Sequence, residues 1–365
     1  MRRTLKLISA VFILIFCITS ASSGNPNSLS CIRSADTLVP SQSITITAVG
    51  DIMLGTSFPS ERFLPPGNDP RKLVARLIDT LRSSDITFGN LEGSLYNDGE
   101  PFKKCRDTTI CYLFRMPERY VGTLADAGFN ILSLANNHFG DFGWPASKRT
   151  KELLDSVGIN YAGPAENPYA IFKKDSITWG FCAFSPTAGS IGLSDTGKAQ
   201  SIVRYLSDKC DVVIVSFHGG AEGEDFQRVP KTDEMFLGEN RGNVYEFAHR
   251  MIDSGADVVL GTGPHVTRAI EVYKNRFIAY SLGNFCTYGR FNLSGPTGIA
   301  PVIKINIEKG GKFVSGRIIP VYQGEDGIVR IDDKNRVIRK IIELNRMDFP
   351  ESVIDVSDEG KIFYK

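Results

Sequence analysis

The sequence predicts an α/β domain built on a mixed sheet, and two features carry that prediction. From Ile44 onward, apolar runs with strand character alternate with helix-patterned segments, the order that produces parallel β-α-β units. Residues 300–322 then switch to period-two alternation around Gly310-Gly311, as an antiparallel hairpin requires.

In the stretch ITITAVGDIMLG, Ile44, Ile46 and Ala48 alternate with polar residues before Gly50-Asp51 breaks the run. The spacing of Leu73, Leu77, Ile78 and Leu81 predicts a helix over 70–82, with Pro70 near its start. DITFGNLEG reads as strand then turn. PERYVGTLADAG (117–128) reads as a helix opened by proline and closed by glycine, and FNILSLANNHFGDFG as a strand running into a polar loop. A helix over 146–157 leads to INYAG, and YAIFKKD with ITWGFCAFS reads as a hairpin. DVVIVSFHGG is almost wholly apolar, as a strand covered on both faces must be. A helix over 243–254 precedes ADVVLGTGPH, RFIAYSLGNF is a further strand, and the 300–322 hairpin closes the series. These bounds place the domain at 44–322, after a polar linker at 23–43, with 323–365 expected as a peripheral tail packed on or extending from it.

The chain has 365 residues and carries 42 Lys+Arg against 41 Asp+Glu. That balance argues against a nucleic-acid partner, which selects a basic excess. Arg2, Arg3 and Lys6 precede an apolar run over 7–18 and small residues over 19–24, so 1–22 reads as a secretory signal peptide, with an uncleaved anchor as the alternative. An exported domain, in the periplasm, at the cell surface or secreted, is the resulting expectation. Of the seven cysteines, Cys105 and Cys111 bracket a short polar loop suited to a disulfide, whereas Cys182 and Cys210 read as buried thiols.

The functional signal lies at the strand ends. AVGD ends at Asp51, TFGNLE at Asn90 and Glu92, and LSLANNH at Asn136, Asn137 and His138. VVIVSFHGGAE ends at His218 and Glu222, VVLGTGPH at His265 and YSLGNF at Asn284. In open α/β sheets ligands bind beyond the carboxyl ends of strands, so these loops are expected to converge. Carboxylate, carboxamide and imidazole donors suit a divalent metal: Mn, Zn, Fe or Mg. Each residue also has a structural reading: Asp51 as a turn former, Asn90 as an Asx turn, Asn136-Asn137 as left-handed turn residues and His218 as a satisfied core imidazole. Glu222 divides evenly between a supporting role and solvent. His249, within a helix pattern, reads as structural. Ser133, Ser216 and Ser281 lie inside strand runs, so a nucleophilic serine lacks its usual exposed elbow.

Together, AVGDIMLG, FGNLEGSL, SLANNHFGDFG, VVIVSFHGGAE, GADVVLGTGPHV and AYSLGNF resemble the CapA family of poly-γ-glutamate capsule proteins, within the calcineurin-like metallophosphoesterase superfamily. The resemblance implies a layered α/β/β/α sandwich with mixed sheets and a metal-dependent phosphoesterase-like hydrolase holding one or two divalent ions. It implies Asp51, Glu92, Asn137, His218 and His265 as metal ligands and His138, with Asp51, in catalysis. Asn90, Asn136, Glu222 and Asn284 would support substrate or ligands. Implied partners are an anionic cell-envelope polymer or phosphoester substrate and membrane-bound polymer synthesis or export proteins. The sequence departs from the family where His-Trp-Gly becomes His218-Gly219-Gly220 and Gly-His-His-Pro-His becomes Gly261-Thr262-Gly263-Pro264-His265. Those losses keep open a second reading, a non-catalytic polymer-binding or export subunit with a thinned metal site.

Overall fold

The computed structural model describes residues 43–104 and 111–365. The expected signal segment and all but the last residue of the linker lie outside them, as does Cys105, so the Cys105–Cys111 pairing falls partly outside the described residues.

Two mixed sheets stack face to face. The larger is ten-stranded and contains β1 (Ile44–Met53), β2 (Ile86–Leu91), β3 (Ile131–Ser133) and β4 (Asn160–Ala162). The six-stranded sheet contains β5 (Tyr169–Lys174), β6 (Ile177–Phe184), β7 (Val212–His218), β8 (Val258–Thr262), β9 (Ile270–Tyr273) and β10 (Arg276–Ala279), in the order β9-β10-β8-β7-β6-β5. The chain then returns to the large sheet through β11 (Asn284–Thr287), β12 (Ile299–Ile307), β13 (Phe313–Gln323), β14 (Val329–Ile331), β15 (Ile354–Val356) and β16 (Lys361–Tyr364). Its order is β15-β16-β13-β12-β1-β2-β3-β4, with β11 also beside β1 and β14 beside β13.

Period-two alternation divides the core into layers. In β7, Val212 and Ile214 join Ile46, Ala48, Ile86 and Phe88 of the large sheet in the interior between the sheets. The alternate residues Val213, Val215 and Phe217 pack outward, against Val203 and Leu206 of α3 (Thr196–Ser207) and Phe247 and Met251 of α4 (Val244–Asp253). On the outer face of the large sheet, Leu91 and Leu132 meet Leu73, Leu77 and Leu81, and Leu124 of α1 (Val121–Ala127) and Leu154 of α2 (Gly143–Ser156). The result is the α/β/β/α sandwich.

Register sets up the site. Asp51 of β1 stands opposite Asn90 of β2 on one side and Asn284 of β11 on the other, and Thr262 of β8 stands opposite His218 of β7. Each pair runs parallel, so the carboxyl ends of β1, β2, β7 and β8 and the start of β11 supply the polar residues of the site.

Three sequence expectations need revision. The helix expected over 70–82 is two short α segments, Arg71–Val74 and Ile78–Arg82, joined by a 3-10 turn, although its apolar residues still face the sheet. Helix α3 and edge strand β9 had no sequence forecast. Residues after Gln323 are not a peripheral tail: β14 and β16 extend the large sheet, and α5 (Arg336–Asp348) buries Val337, Ile338 and Ile341 in the inter-sheet core. The surface charges of this segment made it look detachable. Asn345 Oδ1 also accepts the Ile270 N–H at 2.9 Å, satisfying a donor of edge strand β9.

The Ile341→Ala substitution is expected to destabilise the protein by about 2–5 kcal/mol, because it opens a cavity in the shared core. Urea midpoints with an unchanged slope would report this; an accessory tail would give no shift.

Candidate functional site

Asp51 sits where β1 shifts register against both neighbours, and its own N–H donates to Gly283 O at 2.9 Å. Its carboxylate is fully buried. Oδ1 accepts from Asn90 Nδ2 at 2.8 Å, and Oδ2 lies 2.9 Å from His265 Nδ1. The same Asn90 nitrogen donates to Glu92 Oε2 at 2.7 Å, so one carboxamide bridges two buried acids. Asn136 Nδ2 holds Asn90 in turn, donating to its Oδ1 at 3.2 Å and to Leu91 O at 2.8 Å.

The histidines differ in state because their neighbours differ. His218 is buried at the end of β7, with Nε2 3.1 Å from Asn137 Oδ1 and Nδ1 3.1 Å from Thr262 Oγ1. Burial, and then the charge of Arg241, hold this imidazole well below its ordinary pKa. A carboxamide oxygen only accepts, so the one proton of the neutral ring sits on Nε2. Nδ1 then presents its lone pair 3.8 Å from Glu92 Oε2. His138 is also depressed by burial, against the opposing pull of Asp141, whose Oδ2 lies 2.9 Å from its Nδ1. His265 goes the other way. Burial works against its charge, but the Asp51 hydrogen bond and the charges of Asp51, Glu92 and Glu222 lift it to about 10. Its Nδ1 faces two acceptors, Asp51 and Asn284 Oδ1 at 3.2 Å, so Nδ1 is the donor and only Nε2 is open.

Every residue singled out from the strand ends enters this network. Glu222 joins at its edge, 4.0 Å from His265 Nε2, and Asn284 anchors the His265 loop by donating to His265 O at 3.3 Å. His249 lies elsewhere, on α4, paired with Glu271 at 2.9 Å and stacked on Tyr273. Asp141 was not foreseen, nor was Thr262 as an orienting group. Asp141 also accepts the Phe114 N–H at 2.9 Å and lies 3.4 Å from Lys103 Nζ. Its only sequence signal was its place three residues after His138.

The donor set fits a divalent cation. Ligand atoms of Asp51, Glu92 and His218 all lie within 4.8 Å of one another, and all three residues are buried. Glu92 Oε1 is buried without a hydrogen-bond partner, a cost that a bound cation would remove. Burial, and then the Asp51 charge, push the Glu92 carboxyl well above its ordinary range, as expected for two acids lacking a Lys or Arg partner among the described residues. The triad lies behind Asn137 and His265, which with His138 and Phe291 line a cleft of 1030 Å³.

The missing imidazoles at 262 and 263 have a physical reason. Thr262 is used to orient His218. At Gly263, φ is +115°, and a Cβ would stand 2.7 Å from Gly219 N and 2.8 Å from Gly219 O. The Gly263→Ala variant is therefore expected to lose about 1–3 kcal/mol or more, read from its urea midpoint, while alanine at the exposed Gly140 should be nearly neutral.

The bacterial capsule synthesis protein PGA_cap family model matches residues 45–288. The chain is 27% identical over 333 residues to the capsule biosynthesis protein CapA of Bacillus anthracis, covering 82% of this chain and 73% of that one. It is 27% identical over 262 residues to the PGA biosynthesis protein CapA of Bacillus subtilis, covering 66% and 63% respectively, and so spans just under two thirds of that relative. Among solved structures, a purple acid phosphatase from yellow lupin aligns over 80% of this chain and 53% of its own at 11% identity and a TM-score of 0.39. With the buried acids, both strand-end histidines and the orienting carboxamides all inside the matched segment, the chain belongs to the bacterial capsule synthesis protein PGA_cap family.

Proposed function

We propose that this protein is an exported, metal-dependent hydrolase of the metallophosphoesterase type that acts in the synthesis of a cell-envelope polymer. The unpaired Glu92 Oε1, set among the closely spaced donors of Asp51, Glu92 and His218, is the observation that carries this reading. The relatives named for capsule and PGA biosynthesis support the polymer, with poly-γ-glutamate as the class. The basic-then-apolar start of the chain supports export.

Asp51, Glu92 and His218 would hold the ion, with Asn137 and His265 Nε2 beside them. A divalent cation there supplies Lewis acidity, drawing electron density from a phosphoryl oxygen and offsetting its charge. The rest falls to the chain's own groups. Asp141 accepts the Nδ1 proton of His138, which leaves the Nε2 lone pair directed to the cleft as a proton acceptor. The same nitrogen, once protonated, can hand its proton to the departing oxygen. His265 holds Asp51 by hydrogen bond and charge, and Asn90 fixes both acids. Asn137 keeps the His218 lone pair aimed at Glu92.

A second reading, a polymer-binding or export subunit working with membrane-bound partners, is favoured by one observation: no side chain fits at 263, and His265 Nδ1 is occupied by Asp51. Metal retention and turnover separate the two.

Purified protein is expected to keep about one divalent ion per chain through dialysis. Chelation should lower its Tm by an amount that re-addition of Mn or Zn restores; an ion at 100 times its Kd corresponds to about 2.7 kcal/mol. Glu92→Gln and Asp51→Asn should erase that increment. A protein that retains no ion and shows no such shift is not a metal-dependent hydrolase.

On bis(p-nitrophenyl) phosphate, His138→Ala is expected to lower kcat by about 10²–10⁴-fold with little change in KM. Asp141→Asn should shift the acidic limb of the pH–rate profile, because the carboxylate acts on that ring through Nδ1. An unchanged kcat in His138→Ala would remove this histidine from the chemistry.

A further inference from the structure

Two buried arginines of opposite character meet at the loop joining β7 to α4. Arg268, fully buried, reaches into this loop from the β8–β9 connection and closes a bidentate pair on Glu234, with Nη1–Oε1 at 2.8 Å and Nη2–Oε2 at 2.7 Å. Its Nε donates to Phe226 O at 2.9 Å. Such a pair, with its hydrogen bonds completed, is structural.

Arg241 is also buried, at 4% exposure, yet its Nε and Nη2 make no hydrogen bond. Nη2 lies 2.8 Å from Glu222 Oε1, close enough for charge attraction but misaligned, and that oxygen too is left without a hydrogen bond. Both side chains line the 1030 Å³ cleft. The backbone of Arg241 is fixed: its N–H donates to Glu234 O at 2.7 Å and its carbonyl accepts from Gly220 N at 2.9 Å. The Arg268–Glu234 pair thus anchors the segment that presents Arg241. A guanidinium held rigidly in a cleft with unused donors is costly unless something completes its bonds. Its planar fork matches a carboxylate or phosphate. Glu222, itself 4.0 Å from His265, occupies the place of such an anion and offers one poorly aligned contact where a free anion would offer two.

We propose that Arg241 forms an anion subsite in the cleft, recognising a carboxylate or phosphate that the substrate carries beside the group acted upon, with Glu222 as its exchangeable resident partner. The assignment to substrate rests on the function proposed above; the anion site itself does not need the metal.

The test titrates the full chain by calorimetry with inorganic phosphate, with glutarate and with neutral glutaramide, in excess chelator and again with Mn. In chelator, wild-type protein is expected to bind an anion but not glutaramide. Arg241→Ala should weaken that binding by at least about tenfold, the scale of one charge-assisted hydrogen bond, and Arg241→Lys should recover part of it. Glu222→Gln, which releases the guanidinium, should bind the anion several-fold more tightly, and it keeps the test decisive if Arg241→Ala does not fold. Preference for phosphate assigns the subsite to a phosphoester, and preference for glutarate to a polycarboxylate chain. Absence of anion binding by wild type, unchanged affinity in Arg241→Ala, or no gain in Glu222→Gln overturns the subsite. Loss of metal retention and turnover with Arg241-dependent binding intact would instead overturn the hydrolase reading and leave the subsite standing.

Discussion

A single carboxamide between two buried acids is the constraint around which this site is arranged. Asn90 donates to both Asp51 and Glu92 from one nitrogen, and Asn136, just past the end of β3, holds the carboxamide by donating to its oxygen. Two carboxyl groups removed from water repel each other strongly unless a cation or a proton intervenes. Among the protein's own groups the counterweights are His265, whose pKa the acids lift to about 10, and the raised pKa of Glu92. Both are provisional answers to a charge problem that a divalent ion solves more completely.

The sandwich brings these groups together through parallel register. The carboxyl ends of β1, β2, β7 and β8 and the amino end of β11 coincide on rigid backbones, so donors far apart in sequence meet without a long loop having to fold on its own. The C-terminal segment belongs to the same support. Asp348 of α5 accepts from Val229 N at 3.1 Å and pairs with Arg228, tying the last helix to the loop that carries Glu222 and Arg241. Stability of the sheet edge and position of the cleft wall are thereby one property.

Much of this was legible in the residues. DVVIVSFH and ADVVLGT are continuous apolar runs, as strands buried on both faces are, and their polar ends pointed to the candidate site. Helix α3 was missed because only Ala199, Val203 and Leu206 of its face are buried, set among polar residues that read as loop. The C-terminal segment was misjudged because charged outer faces of α5 and β16 hide a narrow apolar stripe. Asp141 left only its spacing from His138 as a signal and Arg241 left none: a carboxylate bound to a histidine ring and a guanidinium with unused donors are facts of geometry.

The contact between Gly263 and Gly219 limits what either position can hold. These are two of the positions at which the sequence departs from the family pattern, and they touch: a side chain at either would strike the other's strand end or the groups behind it. A Cβ on Gly219 would meet Leu193 Cδ1 at 2.5 Å and Arg241 O at 2.9 Å. Neither position can regain a bulky residue while its neighbourhood stays as it is. The glycines at 219 and 263 are thus a sterically linked pair, held by the loop that seats Arg241. A side chain placed at one of the two positions alone is therefore expected to cost stability, and each position limits what the other can accept.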